Sequence, residues 1–347
     1  MSRELQSWFS GGGLADIGMA AAGLTPRFAV ELDDAIAGVY RANLGNHCLT
    51  ADVRNVELHS APFWFHVSPP CTNASVAKRN NGETELDVGL AQAIVRGIER
   101  RSPWFSLENV WGYRTFESFR LILEALSNNG YNLAYWHLNS ADYAVPQTRK
   151  RLILCASRVR RVVQPYPTHS KNPDLFALPW VGWHEAIADL VPTLPETQFA
   201  KWQLERLPEE LIHQPKSCLV PGGNASSFSL RYQDEPSRTV GDVDRVGNLP
   251  RALLIEGTEQ RGATVQHRGE LDPSFTIKAS IHKSVTRAYI PSGRVVAITP
   301  ECLARFQAVP GWYRLSGKAS LDCKVLGNGF PCLLAQALVE AQGITST

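Results

Sequence analysis

The 347-residue sequence lacks the features of membrane-spanning and of disulfide-rich secreted proteins. It contains no run of about 18 apolar residues, so we expect no transmembrane helix. The N-terminal stretch MSRELQSWFSGGG has no long apolar segment before a cleavage site, which predicts a cytoplasmic protein without a secretory leader. Its seven cysteines form no CxxC pair and no Cys/His cluster, which favours a reducing compartment and argues against a metal site.

Acidic residues are absent from one long stretch. Between Pro273 and Pro300 the chain carries four Lys or Arg residues and no Asp or Glu, and short basic runs occur at 78–79 and 158–161. A basic stretch can bind phosphates, although such runs are more often solvated surface. Charge alone therefore leaves nucleic-acid binding open.

The first 155 residues alternate between short apolar runs and helical patterns. Strands are predicted at 5–9, 27–32, 63–68, 104–110, 132–138 and 151–157, and helices at 14–24, 33–43, 86–100 and 115–129. Strands separated by helices indicate βαβ units. We therefore predict an α/β fold with a doubly wound, mainly parallel sheet, and ligand sites at the carboxyl ends of its strands.

The pattern changes at about residue 160. Prolines become frequent and helical periodicity fades, which predicts a smaller, loop-rich domain containing β-structure. A helical pattern returns at 300–309, and a turn at 326–331 leads into a last helix. We expect residues 1–160 and 293–347 to form the first domain and residues 161–292 the second.

A glycine-rich turn follows the first predicted strand, in the sequence FSGGG at 9–13. Such a turn before a helix can approach a nucleotide-like ligand closely, although many are ordinary tight turns. Glu31 ends the next strand about 20 residues later, where an acid accepts hydrogen bonds from ribose hydroxyls. Asp52 can meet an adenine amine or serve only as a helix N-cap. These residues predict an adenosine-containing cofactor, either NAD or S-adenosylmethionine.

Three further features lie where other strands end. Cys71 in SPPC is either a buried core cysteine or a nucleophile. Glu108 ends the strand SLENV, where apolar surroundings would keep a proton on it. Gln147, Arg149 and Arg151 in QTRKR are spaced by two, which in an extended segment places them on one face. Arginines there can meet phosphates or a base carbonyl and stabilise a thiolate.

The motifs FSGGG, SPPC, ENV, QTRKR, ECLARFQAVP and GNGFP occur in an order that resembles the DNA (cytosine-5) methyltransferase family. The resemblance covers most of 5–157 and 294–342. It implies a Rossmann-like fold that uses S-adenosyl-L-methionine, and a target recognition domain at 161–292. It also implies double-stranded DNA as the partner, with the target cytosine flipped out of the helix. We expect a monomer.

The resemblance also implies roles for individual residues. Cys71 would attack carbon 6 of cytosine, Glu108 would protonate the ring at nitrogen 3, and Arg149 and Arg151 would complete the catalytic group. Asn109 would hold the turn backbone or be purely structural. The cofactor residues implied are Phe9, Ser10, Gly11, Gly13, Glu31, Leu32, Asp52, Val53, Pro69 and Asn328. The resemblance implies that Lys78, Arg79 and Gln147 contact DNA. It also implies that residues 72–90 form a loop that closes over DNA.

The sequence departs from the family pattern at several positions. Thr72 stands where the family has Gln after Pro-Cys, and Gly329 and Phe330 fill the middle of the last motif. RVVAITPE at 294–301 matches its motif only loosely. Three other functions remain open: the same chemistry on tRNA, a catalytically silent DNA-binding relative, and an NAD oxidoreductase suggested by the glycine turn alone.

Overall fold

The computed structural model describes most of the chain. The described residues are 3–58, 60–70, 82–199, 218–221, 231–232, 246–248, 253–256, 266–277, 279, 287–290 and 294–345. Three residues singled out from the sequence, Cys71, Lys78 and Arg79, lie outside them.

The central element is a seven-stranded sheet in the order β3-β2-β1-β4-β5-β7-β6. Its strands are β1 (Glu4–Trp8), β2 (Thr25–Glu31), β3 (Cys48–Thr50), β4 (Trp64–Val67), β5 (Trp104–Asn109), β6 (Asn132–Asn139) and β7 (Lys150–Ser157). The first five pair in parallel, whereas β7 runs antiparallel between β5 and β6. The predicted mainly parallel α/β sheet is confirmed.

Helices cover both faces of this sheet. They are α1 (Leu14–Ala21), α2 (Asp34–Leu44), α3 (Glu85–Ile98), α4 (Glu117–Asn128), α5 (Trp183–Ala186), α6 (Pro300–Phe306), α7 (Ala319–Asn328) and α8 (Cys332–Glu340). Helix α3 packs against α4, and α1 packs against α8. None of the helices within the described ranges has the length and apolarity to cross a membrane.

Two helices overlap segments that the sequence also predicted as a loop or a turn. Helix α3 begins at Glu85, so the last six residues of the predicted 72–90 loop are helical. Thr84 and Asp87 form a capping box there, which explains this start. Helix α7 continues to Asn328, so the turn predicted at 326–331 is limited to the residues after it.

Smaller sheets are formed by residues after 160. Their strands are β8 (His169–Ser170), β9 (Leu178–Pro179), β10 (Cys218–Pro221), β11 (Arg231–Tyr232), β12 (Val246–Asn248), β13 (Leu253–Glu256), β14 (Gln266–Gly269), β15 (Arg287–Tyr289) and β16 (Val295–Ala297). The largest has the order β14-β13-β15-β16, and its last strand, β16, lies entirely after residue 292.

The contact between α1 and α8 leaves no room for a side chain at Gly18. A Cβ atom there would clash with the carbonyl oxygen of Cys332 and lie 3.0 Å from the Cβ of Ala335. We expect Gly18→Ala to lower the free energy of unfolding by about 3 kcal/mol or more, measured by urea denaturation.

Gly38, in α2, provides a matched control because no heavy atom lies within 4 Å of its added Cβ. Gly38→Ala should be neutral or stabilising by up to about 1 kcal/mol, since alanine favours helix. Equal losses of stability in the two variants would contradict the close packing of α1 on α8.

Candidate active site

The candidate site lies at the carboxyl edge of the central strands. The N–H of Ser10 donates to the carbonyl of Val30 (3.0 Å), and the N–H of Ser68 donates to the carbonyl of Trp8 (3.2 Å). These two bonds join the segments that follow β1 and β4 to the neighbouring strand ends. Because β7 is antiparallel, it contributes its beginning to this edge, where Leu152 pairs with Asn109.

The glycine turn between β1 and α1 is held by Glu31. Its Oε2 accepts a hydrogen bond from the N–H of Gly11 (2.9 Å), and its Oε1 accepts one from the N–H of Asp33 (2.9 Å). Gly11 has a φ of 55°, a left-handed conformation that glycine adopts readily. Phe9 also has a positive φ, of 57°. The turn is therefore fixed before any ligand binds.

Residues near the C-terminus pack against the glycine turn. Tyr313 donates its hydroxyl hydrogen to the carbonyl of Gly12 (2.8 Å). A Cβ at Gly12 would clash with the side chain of Val325 in α7. The segment after residue 294 thus packs directly against the turn.

Beneath the turn, Asp16 of α1 is buried and accepts hydrogen bonds from the hydroxyls of Ser7 (2.7 Å) and Tyr40 (2.5 Å). Burial raises the pKa of the Asp16 carboxyl to about 6, against the lowering effect of those two bonds. This group anchors α1 to β1 and α2.

The other predicted cofactor residues differ in their exposure. The Leu32 side chain is 68% exposed, which is unusual for an apolar residue next to a site, and Asn328 is exposed at the end of α7. Val53 is buried, and Ser10 and Phe9 are partly buried. The open glycine backbone, the Glu31 carboxylate and an exposed leucine fit the amino-acid and adenosine parts of a methyl donor.

Asp52 has an N-cap role in the structure. Its carboxylate accepts the N–H of Arg54 (2.9 Å) and forms an ion pair with the Arg54 guanidinium (2.6 Å). The hydrogen bond from the Arg54 side chain is the main cause of the lowered pKa of the Asp52 carboxyl. The contacts thus show the N-cap that the sequence allowed, and the adenine contact of Asp52 stays a prediction.

The segment that leads to Cys71 is fixed by Asn109. The Asn109 amide donates to the carbonyl of Pro69 (3.0 Å), and its side-chain oxygen accepts the N–H of Val110 (2.8 Å). Asn109 is 2% exposed. It therefore holds the backbone two residues before Cys71, as the sequence allowed.

Glu108 and Arg151 form a buried ion pair, with 2.9 Å between Arg151 Nε and Glu108 Oε1. Only 7% of the Glu108 side chain and 13% of the Arg151 side chain are exposed. The sequence predicted apolar surroundings for Glu108, but the structure places a cation against it. β5 and β7 bring these residues together from 43 positions apart in the chain.

Gln147 and Arg149 precede β7 and are fully buried. The Arg149 guanidinium donates to the carbonyls of Ile277 (3.0 Å) and Gly327 (2.9 Å). The Gln147 amide oxygen accepts the N–H of Ile277 (3.4 Å). Both side chains thus hold other chain segments in place, whereas Arg151 forms the ion pair with Glu108.

A buried polar group on β4 and β5 was missed in the sequence. His66 lies between the hydroxyls of Ser106 (2.8 Å) and Ser68 (3.1 Å). The available signal was a histidine and a serine at inward positions of the apolar strands FWFHVS and WFSLENV. Burial lowers the pKa of the His66 imidazole to about 3, so the ring is neutral at ordinary pH.

The fold is a mainly parallel α/β sheet, and its carboxyl edge brings together a glycine turn held by Glu31 and the Glu108–Arg151 ion pair. Residues 4–343 match the C-5 cytosine-specific DNA methylase family. The chain belongs to this family, and it is therefore a transferase of the cytosine-5 DNA methyltransferase class.

Sequence relatives agree with this assignment, and a solved structure shares the fold. The chain is 29% identical to the Type II methyltransferase M.AquIA of Picosynechococcus over 58% of this chain and 94% of the relative. It is 27% identical to the Type II methyltransferase M.AplI of Arthrospira platensis over 97% of this chain and 84% of the relative. The crystal structure of a putative DNA modification methyltransferase encoded within an E. coli prophage superposes with a TM-score of 0.61 at 16% identity, covering 98% of both chains.

Proposed function

We propose that the protein transfers a methyl group from S-adenosyl-L-methionine to carbon 5 of a target cytosine in duplex DNA. The observation that carries this proposal, within the family, is the buried Glu108–Arg151 pair at the same edge as the segment leading to Cys71. A carboxyl, a guanidinium and a cysteine are the groups that this reaction needs.

The proposed chemistry begins with attack of the Cys71 thiolate on carbon 6, which forms a C–S bond and breaks the 5,6 double bond. Negative charge moves toward ring nitrogen 3, and Glu108 donates a proton there. Carbon 5 becomes nucleophilic and accepts the methyl group, and the donor would leave as a neutral thioether. A base then removes the carbon 5 proton, the double bond re-forms as Cys71 leaves as the thiolate, and the nitrogen 3 proton returns to Glu108.

The Glu108–Arg151 contact sets a condition on this sequence of steps. Glu108 must carry a proton when it faces nitrogen 3, although it starts next to a cation 2.9 Å away. We infer that the incoming base takes over the Arg151 guanidinium through its carbonyl oxygen, which frees the carboxyl to be protonated. General acid catalysis of this kind contributes about 10²–10⁴-fold.

The methyl donor would lie in the cradle around the glycine turn. Glu31 would accept hydrogen bonds from its ribose hydroxyls, Leu32 would pack on the adenine ring, and the backbone of Gly11 would face its amino-acid part. The exposed Asn328 side chain would border it from α7. When bound, this group supplies an electrophilic methyl on a sulfonium.

Carbon 6 is inaccessible in stacked DNA, so the cytosine must leave the helix, at a cost of a few kcal/mol. We assign DNA reading to residues 161–292, and phosphate contacts to Lys78 and Arg79. Gln147 and Arg149 would act on DNA only indirectly, because both bond to the backbone of Ile277. They would position the second domain against the sheet.

A direct test is incubation of the purified protein with tritium-labelled S-adenosylmethionine and mixed duplex DNA. We expect label in 5-methylcytosine, and DNA with 5-fluorocytosine at the target should become covalently attached, because its fluorine cannot leave as a proton. Label in tRNA and none in DNA would move the activity to RNA. No transfer to either substrate would refute the proposed reaction.

A further inference from the structure

A row of polar side chains crosses the middle of the sheet on one face. In the strand register His66 of β4 stands between Ser7 of β1 and Ser106 of β5. All three side chains are at most 1% exposed. Polar groups at the centre of a buried sheet are costly unless they are hydrogen-bonded, so their partners define what they do.

The hydrogen bonds form a chain toward the site. Trp64 Nε1 donates to Ser106 Oγ (2.8 Å), Ser106 Oγ lies 2.8 Å from His66 Nδ1, and His66 Nε2 lies 3.1 Å from Ser68 Oγ. Trp64, His66 and Ser68 alternate along β4 and just beyond it, so they share one face. The chain ends three residues before Cys71.

The donor inventory fixes the direction of these bonds. An indole N–H can only donate, so Ser106 Oγ accepts from Trp64. Among the described residues the remaining partner for the Ser106 hydroxyl hydrogen is Nδ1 of the neutral His66 ring. The other ring nitrogen then carries the hydrogen, and His66 Nε2–H donates to Ser68. The opposite tautomer would leave the buried Ser106 hydroxyl without an acceptor.

The ring is also held by stacking. His66 packs face to face on Phe330, with 5.9 Å between ring centres and 27° between planes. Phe330 is one of the residues at which the last motif departs from the family pattern. The side chain found at this unusual position therefore contacts His66 of β4. Hydrogen bonds at both nitrogens and an aromatic face together leave the His66 ring one orientation.

We propose that His66 is a positioning residue, held as the Nε2–H tautomer by Trp64 and Ser106, which sets the start of the Cys71 segment through Ser68. Ser68 is the junction, because its side chain bonds to His66 and its N–H bonds to Trp8, the residue before the glycine turn. His66 would thereby fix the distance between the nucleophile segment and the methyl-donor cradle. This inference rests on the proposed function.

Kinetics of three variants test the inference. His66→Phe keeps a ring to stack on Phe330 but loses both hydrogen bonds, and it should lower kcat about 10- to 100-fold with an unchanged KM for DNA. Ser68→Ala should have a similar effect, and the double variant should be no slower than the slower single one. His66→Gln should recover part of the rate, because its amide can accept from Ser106 and donate to Ser68.

Leu334→Ala is the control for general loss of packing. Leu334 is fully buried in the hydrophobic cluster that also contains Trp64 and Phe330. Its truncation should lower the melting temperature at least as much as His66→Phe does, with kcat unchanged at temperatures where it is folded. A wild-type kcat in His66→Phe, or rate losses that multiply in the double variant, would overturn the positioning role.

A spectroscopic measurement separates this inference from the reaction itself. In protein labelled with ¹⁵N-histidine, one imidazole should show an unprotonated Nδ1 and a protonated Nε2 that do not change between about pH 5 and 9. That signal should vanish in His66→Phe. A titrating or Nδ1-protonated His66 would overturn the tautomer assignment, whereas a wild-type protein that methylates no cytosine would overturn the proposed function and leave this signal intact.

Discussion

Replacing Cys71 with serine should reduce methyl transfer to background, with DNA and the methyl donor still bound. A serine hydroxyl has the shape of the thiol but remains almost entirely protonated at neutral pH, so it cannot add to carbon 6 at a useful rate. The expected loss is at least on the order of 10³-fold, measured as tritium transfer. Covalent attachment to 5-fluorocytosine DNA should disappear with it.

The described residues on both sides of this segment indicate that the substitution will not disturb the fold. Asn109 holds the carbonyl of Pro69 before it, and the Glu83 carboxylate after it accepts the backbone N–H groups of Glu117 (2.8 Å) and Ser118 (2.7 Å). Both ends are therefore tied to β5 and α4 independently of the cysteine.

Cys302→Ser is the matched control, since Cys302 is fully buried in α6 and its sulfur already accepts a hydrogen bond from the Thr299 hydroxyl (3.7 Å). It should keep full activity. Retained methyl transfer in Cys71→Ser would exclude Cys71 as the nucleophile, whatever the family.

Most of the sheet could be predicted because its strands are short apolar runs between turn signals. The predicted strand 63–68 corresponds to β4 (Trp64–Val67), and 104–110 corresponds to β5 (Trp104–Asn109). In contrast, β3 (Cys48–Thr50) is three residues long and two of its three positions are exposed, so it has no such signal. The order of the strands follows from pairing between distant segments, which composition does not encode.

The antiparallel β7 is the clearest example. Its residues predict a strand equally well in either direction, but its short connection to β6 leaves no room for a crossover helix, so the two pair antiparallel. That reversal brings Arg151 to the carboxyl edge beside Glu108. The spacing of QTRKR predicted the importance of the arginines but not their partners.

Partners in distant segments account for the remaining differences. Arg149 donates hydrogen bonds to carbonyls 128 and 178 residues away in the sequence. The motif alone therefore could not predict that its side chain is buried and holds these segments. A basic side chain followed by another suggests phosphate contacts, and only tertiary structure distinguishes a surface arginine from a buried one. The hydrogen-bonded position of His66 could not be predicted for the same reason, because its partner Ser106 lies 40 residues away in the sequence.

The second large effect expected is at Glu108. Glu108→Gln should lower kcat about 10²–10⁴-fold, because an amide cannot deliver a proton to ring nitrogen 3. The amide oxygen can still accept from Arg151, so the loss in unfolding free energy should not exceed about 3 kcal/mol. Binding of the methyl donor should be unchanged, since Glu31 and the glycine turn are held separately.

Glu196→Gln is the matched control, because Glu196 Oε1 pairs with Arg294 Nε at 2.6 Å in the same atom arrangement but with a 69% exposed carboxylate. Exposed pairs contribute about 0–1 kcal/mol, so this variant should keep both activity and stability. Single-turnover rates of methyl transfer over a range of pH separate the alternatives. If lowering the pH partly restores Glu108→Gln, because solvent then protonates ring nitrogen 3, the missing group is the proton donor. A nearly wild-type rate would instead limit Glu108 to holding Arg151 in place.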